Sequence, residues 1–221
     1  MKIKNIISLL FIGFISFSAF SQDYYLHCGS ILDTQTGQWI KNATIIVKNN
    51  KISTIKEGFV SKSNGADIEV NLKNKHVLPG LIDLHVHLES EQNPKSYAAK
   101  YTNNEADVAF EAARFAEITL LAGFTTVRDL GGTGVNIALR NAINKGIAKG
   151  PRVYTAGKSI ASTGGHADPT NGSNRSLMGD PGPHEGVVNS PEDGVKAVRQ
   201  RYKEGADAVS YTHLTLPTNR E

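Results

Sequence analysis

Two histidines, His85 and His87, stand two residues apart in the run Leu78-Pro79-Gly80-Leu81-Ile82-Asp83-Leu84-His85-Val86-His87-Leu88. Alternate residues of a β-strand share a face, so this spacing aims both imidazoles the same way. Asp83, His85 and His87 are then expected to face the interior of a sheet, and Leu84, Val86 and Leu88 the layer packed behind it. Polar rings directed into an interior are costly unless something binds them. A divalent metal does so, because neutral imidazole is a borderline-soft donor and two on one strand are already aligned. A hydrogen-bonded pair of core histidines is the competing reading; the apolar context and the loop that follows favour one or two metal ions, zinc first among them.

Further along, Arg128 and Asp129 close a second strand after Gly123-Phe124-Thr125-Thr126-Val127. Sites of parallel α/β sheets are built at the carboxyl ends of the strands. Both residues are therefore candidates to bind substrate or support those that do, with an ion pair that fixes the loop as the plain alternative. His166 and Asp168 lie in the glycine-rich stretch Thr163-Gly164-Gly165-His166-Ala167-Asp168 behind a third strand. Backbone amides and an imidazole there could receive a substrate carboxylate or carbonyl oxygen. His27, His76 and His184 lack a partner at ligand spacing and read as surface or packing residues. Cys28 is the single cysteine, can form no internal disulfide, and reads as a buried strand residue. Gly131-Gly132-Thr133-Gly134 follows a strand but has neither the G-x-G-x-x-G spacing nor a phosphate-reaching lysine, which disfavours a nucleotide site.

The elements that must position these residues fall into two groups. Short β runs at 24–32, 44–48, 51–55 and 68–72, with Asn49-Asn50 as a tight hairpin turn, form a small β unit without evident chemistry. After Pro79-Gly80 strands and helices alternate: strand 81–88, helix 105–122 closed by Gly123, strand 125–130, helix 135–145 and strand 152–156. Ser190, Pro191 and Asp193 mark the start of a helix that stops at Gly205, and Val209 is assigned to a fourth strand. Strands separated by single helices require a parallel sheet, either open and doubly wound or closed as a barrel, of which about the first four strands of a (β/α)8 barrel would be present. The segment 170–191, rich in Gly, Pro, Asn and Ser, is long for a connection and is read as a lid or an ordinary surface loop.

The chain of 221 residues has an ordinary globular composition, 39% hydrophobic and 20% charged. Lys2 and Lys4 precede an apolar run that ends in small residues at Ala19 and Ser21, the pattern of a cleaved export signal over 1–21 with the mature chain starting at Gln22. The run is too short for a stable membrane anchor, which needs roughly 20 apolar residues. Export would place the mature protein in the periplasm or outside the cell. Without Lys2 and Lys4 the balance is 22 basic against 21 acidic residues, so nothing invites nucleic acid. Composition leaves a homo-oligomer open.

The motif around His85 and His87, the segment Gly123-Phe124-Thr125-Thr126-Val127-Arg128-Asp129, and Gly150-Pro151-Arg152-Val153 continuing to Asp168 stand in an order that resembles the amidohydrolase superfamily, within it the imidazolonepropionase-like branch that includes Xaa-Pro dipeptidases. The resemblance runs from about residue 32 to 209. It implies a barrel (78–209) preceded by part of a small β-sandwich (22–77), and a site of one or two metal ions that hydrolyses a C–N bond of a small peptide or cyclic amide, with His85 and His87 on the more buried metal. It further implies a carboxylated lysine after Gly-Ala-Asp and two more residues. Here Gly205-Ala206-Asp207-Ala208-Val209 is followed by Ser210, so the bridging ligand is missing and 210–221 reads as a tail foreign to the family. On that reading His213 is no ligand, no catalytic residue is assigned, and the chain alone is expected to be inactive. An exported, non-catalytic protein that binds a metal or another ligand is the alternative from a different class.

Overall fold

The computed structural model describes residues 22–212, so the expected export signal and His213 lie outside the described residues. The chain divides into two compact units between Pro79 and Gly80.

The first unit is a four-stranded mixed sheet of β1 (Tyr24–Leu32), β2 (Trp39–Lys48), β3 (Lys51–Glu57) and β4 (Ile68–Val77), in the order β3-β2-β1-β4. Asn49 and Asn50 take φ of 50° and 59°, the left-handed pair that a two-residue hairpin needs. β1 pairs antiparallel to β2 and parallel to β4, with a register slip between Cys28 and Ser30. Gly29 sits at that slip because a Cβ there would lie 2.2 Å from the Lys73 carbonyl oxygen. Cys28, Ile31, Ala43 and Ile45 form the core, with Cys28 buried as expected and the slip at Gly29 letting Cys28 and Ile31, of opposite parity, share it. His27 is buried and donates through Nε2 to Val60 O at 2.9 Å, a packing residue, whereas His76 is exposed with Nδ1 2.6 Å from Ser30 Oγ, a surface residue.

The second unit carries a parallel sheet of β5 (Leu81–Val86), β6 (Phe124–Asp129) and β7 (Arg152–Thr155) in sequential order. Two short helices accompany it, α1 (Ser96–Thr102) and, later, α4 (Arg175–Met178), neither of which the sequence pattern announces. The connecting helices α2 (Glu105–Leu121) and α3 (Val135–Asn144) bury one face on the sheet. Ala112, Ala116 and Leu139 pack with Leu88, Val127 and Val153, and removing roughly 25 cal/mol per Å² of such apolar area from water is the main term that holds the layers together. Gly150 lies where a Cβ would be 2.6 Å from Ile143 Cδ1, so the turn into β7 is pressed against α3. The helix α5 (Pro191–Glu204) starts as expected, with the Ser190 hydroxyl accepting from the Asp193 amide, and ends on Gly205 at φ 89°.

Two expectations are corrected. The register of β5 slips between Asp83 and Val86, so Asp83 stands opposite Val127 and strict alternation does not carry through to the histidines. Val86 and Leu88 pack against the helix-side core as expected, but Leu84 is 58% exposed. The expected fourth strand at Val209 does not extend the parallel sheet. The amides of Asp207 and Ala208 donate to Thr155 O, but the Thr155 amide is taken by Asp207 Oδ2, itself paired with Arg140, so main-chain pairing at the end of β7 stops there. Pairing resumes two residues past Val209, between β8 (Ile160–Ala161) and β9 (Tyr211–Thr212).

Candidate active site

His85 and His87 stand at the carboxyl end of β5 with ring centroids 5.3 Å apart and planes at 68°. The slip that precedes them is held by Asp83 Oδ1, which accepts from the His85 amide at 3.0 Å. Bulges of this kind re-aim side chains next to active sites. The expected closed interior is replaced by an open face: three strands do not enclose it, and both histidines are exposed there. His87 Nδ1 lies 2.8 Å from the Gly131 carbonyl oxygen. A carbonyl only accepts, so the neutral ring must carry its proton on Nδ1 and keep the Nε2 lone pair free, the form in which ligand histidines are held by their second nitrogen.

The turn that supplies this carbonyl is built by buried acids. Asp129 is fully buried and accepts from the Leu88 amide (3.0 Å), the Gly131 amide (3.2 Å) and Asn136 Nδ2 (3.0 Å). Burial pushes its carboxyl above the usual carboxylate range, against the opposing pull of those three donors and of His87. Glu89 accepts from the amides of Thr133 and Asn136, both at 2.6 Å, at the start of α3. A Cβ on Gly132 would meet that carboxyl carbon at 2.5 Å, and one on Gly131 would meet Ser159 Oγ at 2.3 Å, so both glycines are required by close approach. The sequence analysis missed Glu89 and Asn136; the period-two continuation from residues 85 and 87 to 89 was the available clue for the first.

Arg128 is exposed and its Nε donates to Leu84 O at 2.7 Å, while Asp129 is buried on the other side of β6. Among the described residues the ion pair between them is not formed. A cavity of about 570 Å³ brings His85 and His87 together with His166, Lys158, Glu185 and Ser210. His166 is exposed there, and Ser210, where the family resemblance places a lysine, lines the same wall. Among the described residues no three His, Cys, Asp or Glu side chains are arranged to hold a metal ion, so the residues present fit two ligands of such a site and not the whole of it.

Asp168 is turned away from this cavity into its own loop, where it accepts from the Gly164 amide (2.8 Å), the Thr170 amide (2.9 Å) and the Thr170 hydroxyl (2.7 Å). Burial raises its pKa, but these donors and the charge of Lys100 outweigh it and hold the carboxyl below its usual range. A lowered folded-state pKa contributes stability that is present above the unfolded value of about 3.9 and is lost as pH falls through the folded one. Asp168→Asn is therefore expected to lower the melting temperature at neutral pH, with the gap to wild type closing as the pH falls below the ordinary carboxylate range; a gap that does not change with pH would refute this role for the charge.

Residues 76–217 match the family described as amidohydrolase. The chain belongs to the amidohydrolase family. Among solved structures, a Xaa-Pro dipeptidase with methionine bound in its active site is 42% identical, with a TM-score of 0.79 over 86% of this chain and 47% of that one. A prolidase complexed with N-methylphosphonate-L-proline is 25% identical, with a TM-score of 0.71 over 86% of this chain and 46% of that one. Ochratoxinase of Aspergillus niger is 28% identical over 134 residues, 60% of this chain and 28% of that enzyme. The chain thus spans about half the length of the two solved structures and less of ochratoxinase. The fold is α/β, similar to that of these amidohydrolases.

Proposed function

We propose that these residues belong to an exported, metal-dependent hydrolase of amide or peptide C–N bonds, first of all dipeptides ending in proline, in which 78–209 supply the first half of a (β/α)8 barrel and 22–77 part of a β-sandwich. The observation that carries this reading is the His85–His87 pair at a strand's carboxyl end, with His87 Nδ1 engaged by Gly131 and Nε2 left free. The 42% identity to a Xaa-Pro dipeptidase structure directs the substrate guess. A divalent ion, zinc by donor chemistry, would lower the pKa of a water molecule and polarise the scissile carbonyl.

What the chain's own residues do follows from their positions. His85 and His87 would hold the ion from one side of the cavity, and His166 would donate to a carbonyl or carboxylate oxygen of the substrate from another. Arg128 would stiffen the β5–β6 edge beneath them through its bond to Leu84 O. A catalytic zinc site keeps about three protein ligands, so residues 22–212 alone are expected to bind zinc weakly and turn nothing over.

The test is an assay of the complete enzyme, zinc-loaded and stripped, against Xaa-Pro dipeptides and a small cyclic amide. Release of proline that depends on zinc supports the reading, and cleavage of the cyclic amide alone would move it to the imidazolonepropionase type. Tight zinc binding without turnover of either would leave a non-catalytic metal-binding protein in its place.

A further inference from the structure

We infer that Asn136 is a positioning residue for His87: it locks the turn at residues 130–133 so that the Gly131 carbonyl fixes which imidazole nitrogen carries the proton. Asn136 is fully buried on α3 and reaches the ends of all three parallel strands. Its backbone amide donates to Glu89, two residues past His87 on the β5 side, at 2.6 Å, a bond that any residue but proline at 136 would keep. Its Nδ2 donates to Asp129 at the end of β6 (3.0 Å) and to the Gly157 carbonyl beyond β7 (3.2 Å). Two acceptors face that nitrogen, so the amide can sit only one way round.

The consequence for His87 passes through two carboxylates. Asp129 holds the amides of Leu88 and Gly131, which flank the His87–Gly131 contact on either strand. Glu89 holds the Thr133 amide, closing the other end of the same turn. Ser159 Oγ donates to Leu130 O at 2.6 Å and seals the third side. With those four bonds made, the Gly131 carbonyl has little freedom to leave His87 Nδ1. His85 has no ring hydrogen bond among the described residues, so it is the internal control. Fixing the tautomer is a property of this chain; that the freed Nε2 binds a metal rests on the function proposed above.

The experiment is long-range ¹H–¹⁵N NMR of the imidazoles in the ¹⁵N-labelled chain at pH ~8, where an ordinary histidine is neutral, with His87 assigned through His87→Gln. Wild type is expected to show His87 as the Nδ1–H tautomer. Asn136→Ala is expected to relax it toward the mixture shown by His85, whose own pattern stays unchanged. Asn136→Leu fills the same buried space and keeps the backbone bond to Glu89 while removing the Nδ2 donor, and should shift His87 in the same direction if Asn136→Ala fails to fold. An Nε2–H form of His87 in wild type, or an unchanged tautomer in a folded variant, overturns the inference. Neither result depends on activity, so the inference and the hydrolase reading fail separately.

Discussion

On the function proposed above, His85→Ala and His87→Ala are each expected to lower kcat/KM by at least about a thousandfold, roughly 4 kcal/mol of transition-state stabilisation. The size follows from what surrounds the pair. No third His, Cys, Asp or Glu among the described residues stands where it could replace a lost imidazole, so one truncation leaves a single ligand on this side of the cavity. His166→Ala should cost less, about ten- to a hundredfold, because a donor to a substrate oxygen supports the reaction without assembling the site. The measurement is kcat/KM alongside zinc content for each variant. His87→Ala that keeps both its zinc and its rate would show that this imidazole holds no metal the reaction needs.

The positions of the two histidines were legible because period-two spacing needs no tertiary knowledge. The helix α5 was legible for a similar reason: Ser190, Pro191 and Gly205 are local instructions, and each does locally what its chemistry implies. The exposure of Leu84 was not, because it lies within a register slip that depends on the neighbouring strand, while Val86 and Leu88 beyond it keep the expected face. The place of the last strand was lost for a related reason. Asp207 reads as part of a Gly-Ala-Asp turn, and its capture of the Thr155 amide emerges only when β7 and Arg140 are brought beside it.

The pair Arg128 and Asp129 shows the limit most directly. Adjacent opposite charges suggest an ion pair, but neighbours in a strand point to opposite faces, and here they part: one bonds a main-chain carbonyl on an open face, the other is buried under three donors. Asn136 had no sequence signature at all, since an asparagine in the first turn of a helix is ordinary. Its role comes from three strand ends converging on one residue, one through its backbone amide and two through its side chain.

The largest expected stability effect follows from that convergence. Asp129→Ala is expected to destabilise the folded chain by about 3 kcal/mol or more, because it leaves the Leu88 and Gly131 amides buried without their acceptor and Asn136 Nδ2 with only the Gly157 carbonyl, at roughly 1–3 kcal/mol for each orphaned group before relaxation. Asp129→Asn should cost less, about 1–2 kcal/mol: its oxygen can still take the Gly131 and Asn136 donors, and only the Leu88 amide then faces an amino group. The pH dependence has the opposite sign to that of Asp168. Burial raises the Asp129 pKa, so the cost of holding it ionised is fully present above that raised value and is relieved as pH falls through it. Wild type should therefore gain on Asp129→Asn as the solution is acidified toward that value, whereas it should lose its advantage over Asp168→Asn. Urea unfolding of wild type and the three variants across the acid range checks both the order and the signs. If Asp129→Ala unfolds within about 0.5 kcal/mol of wild type, in the range of an ordinary surface substitution, the turn that presents Gly131 to His87 is not held by this carboxylate.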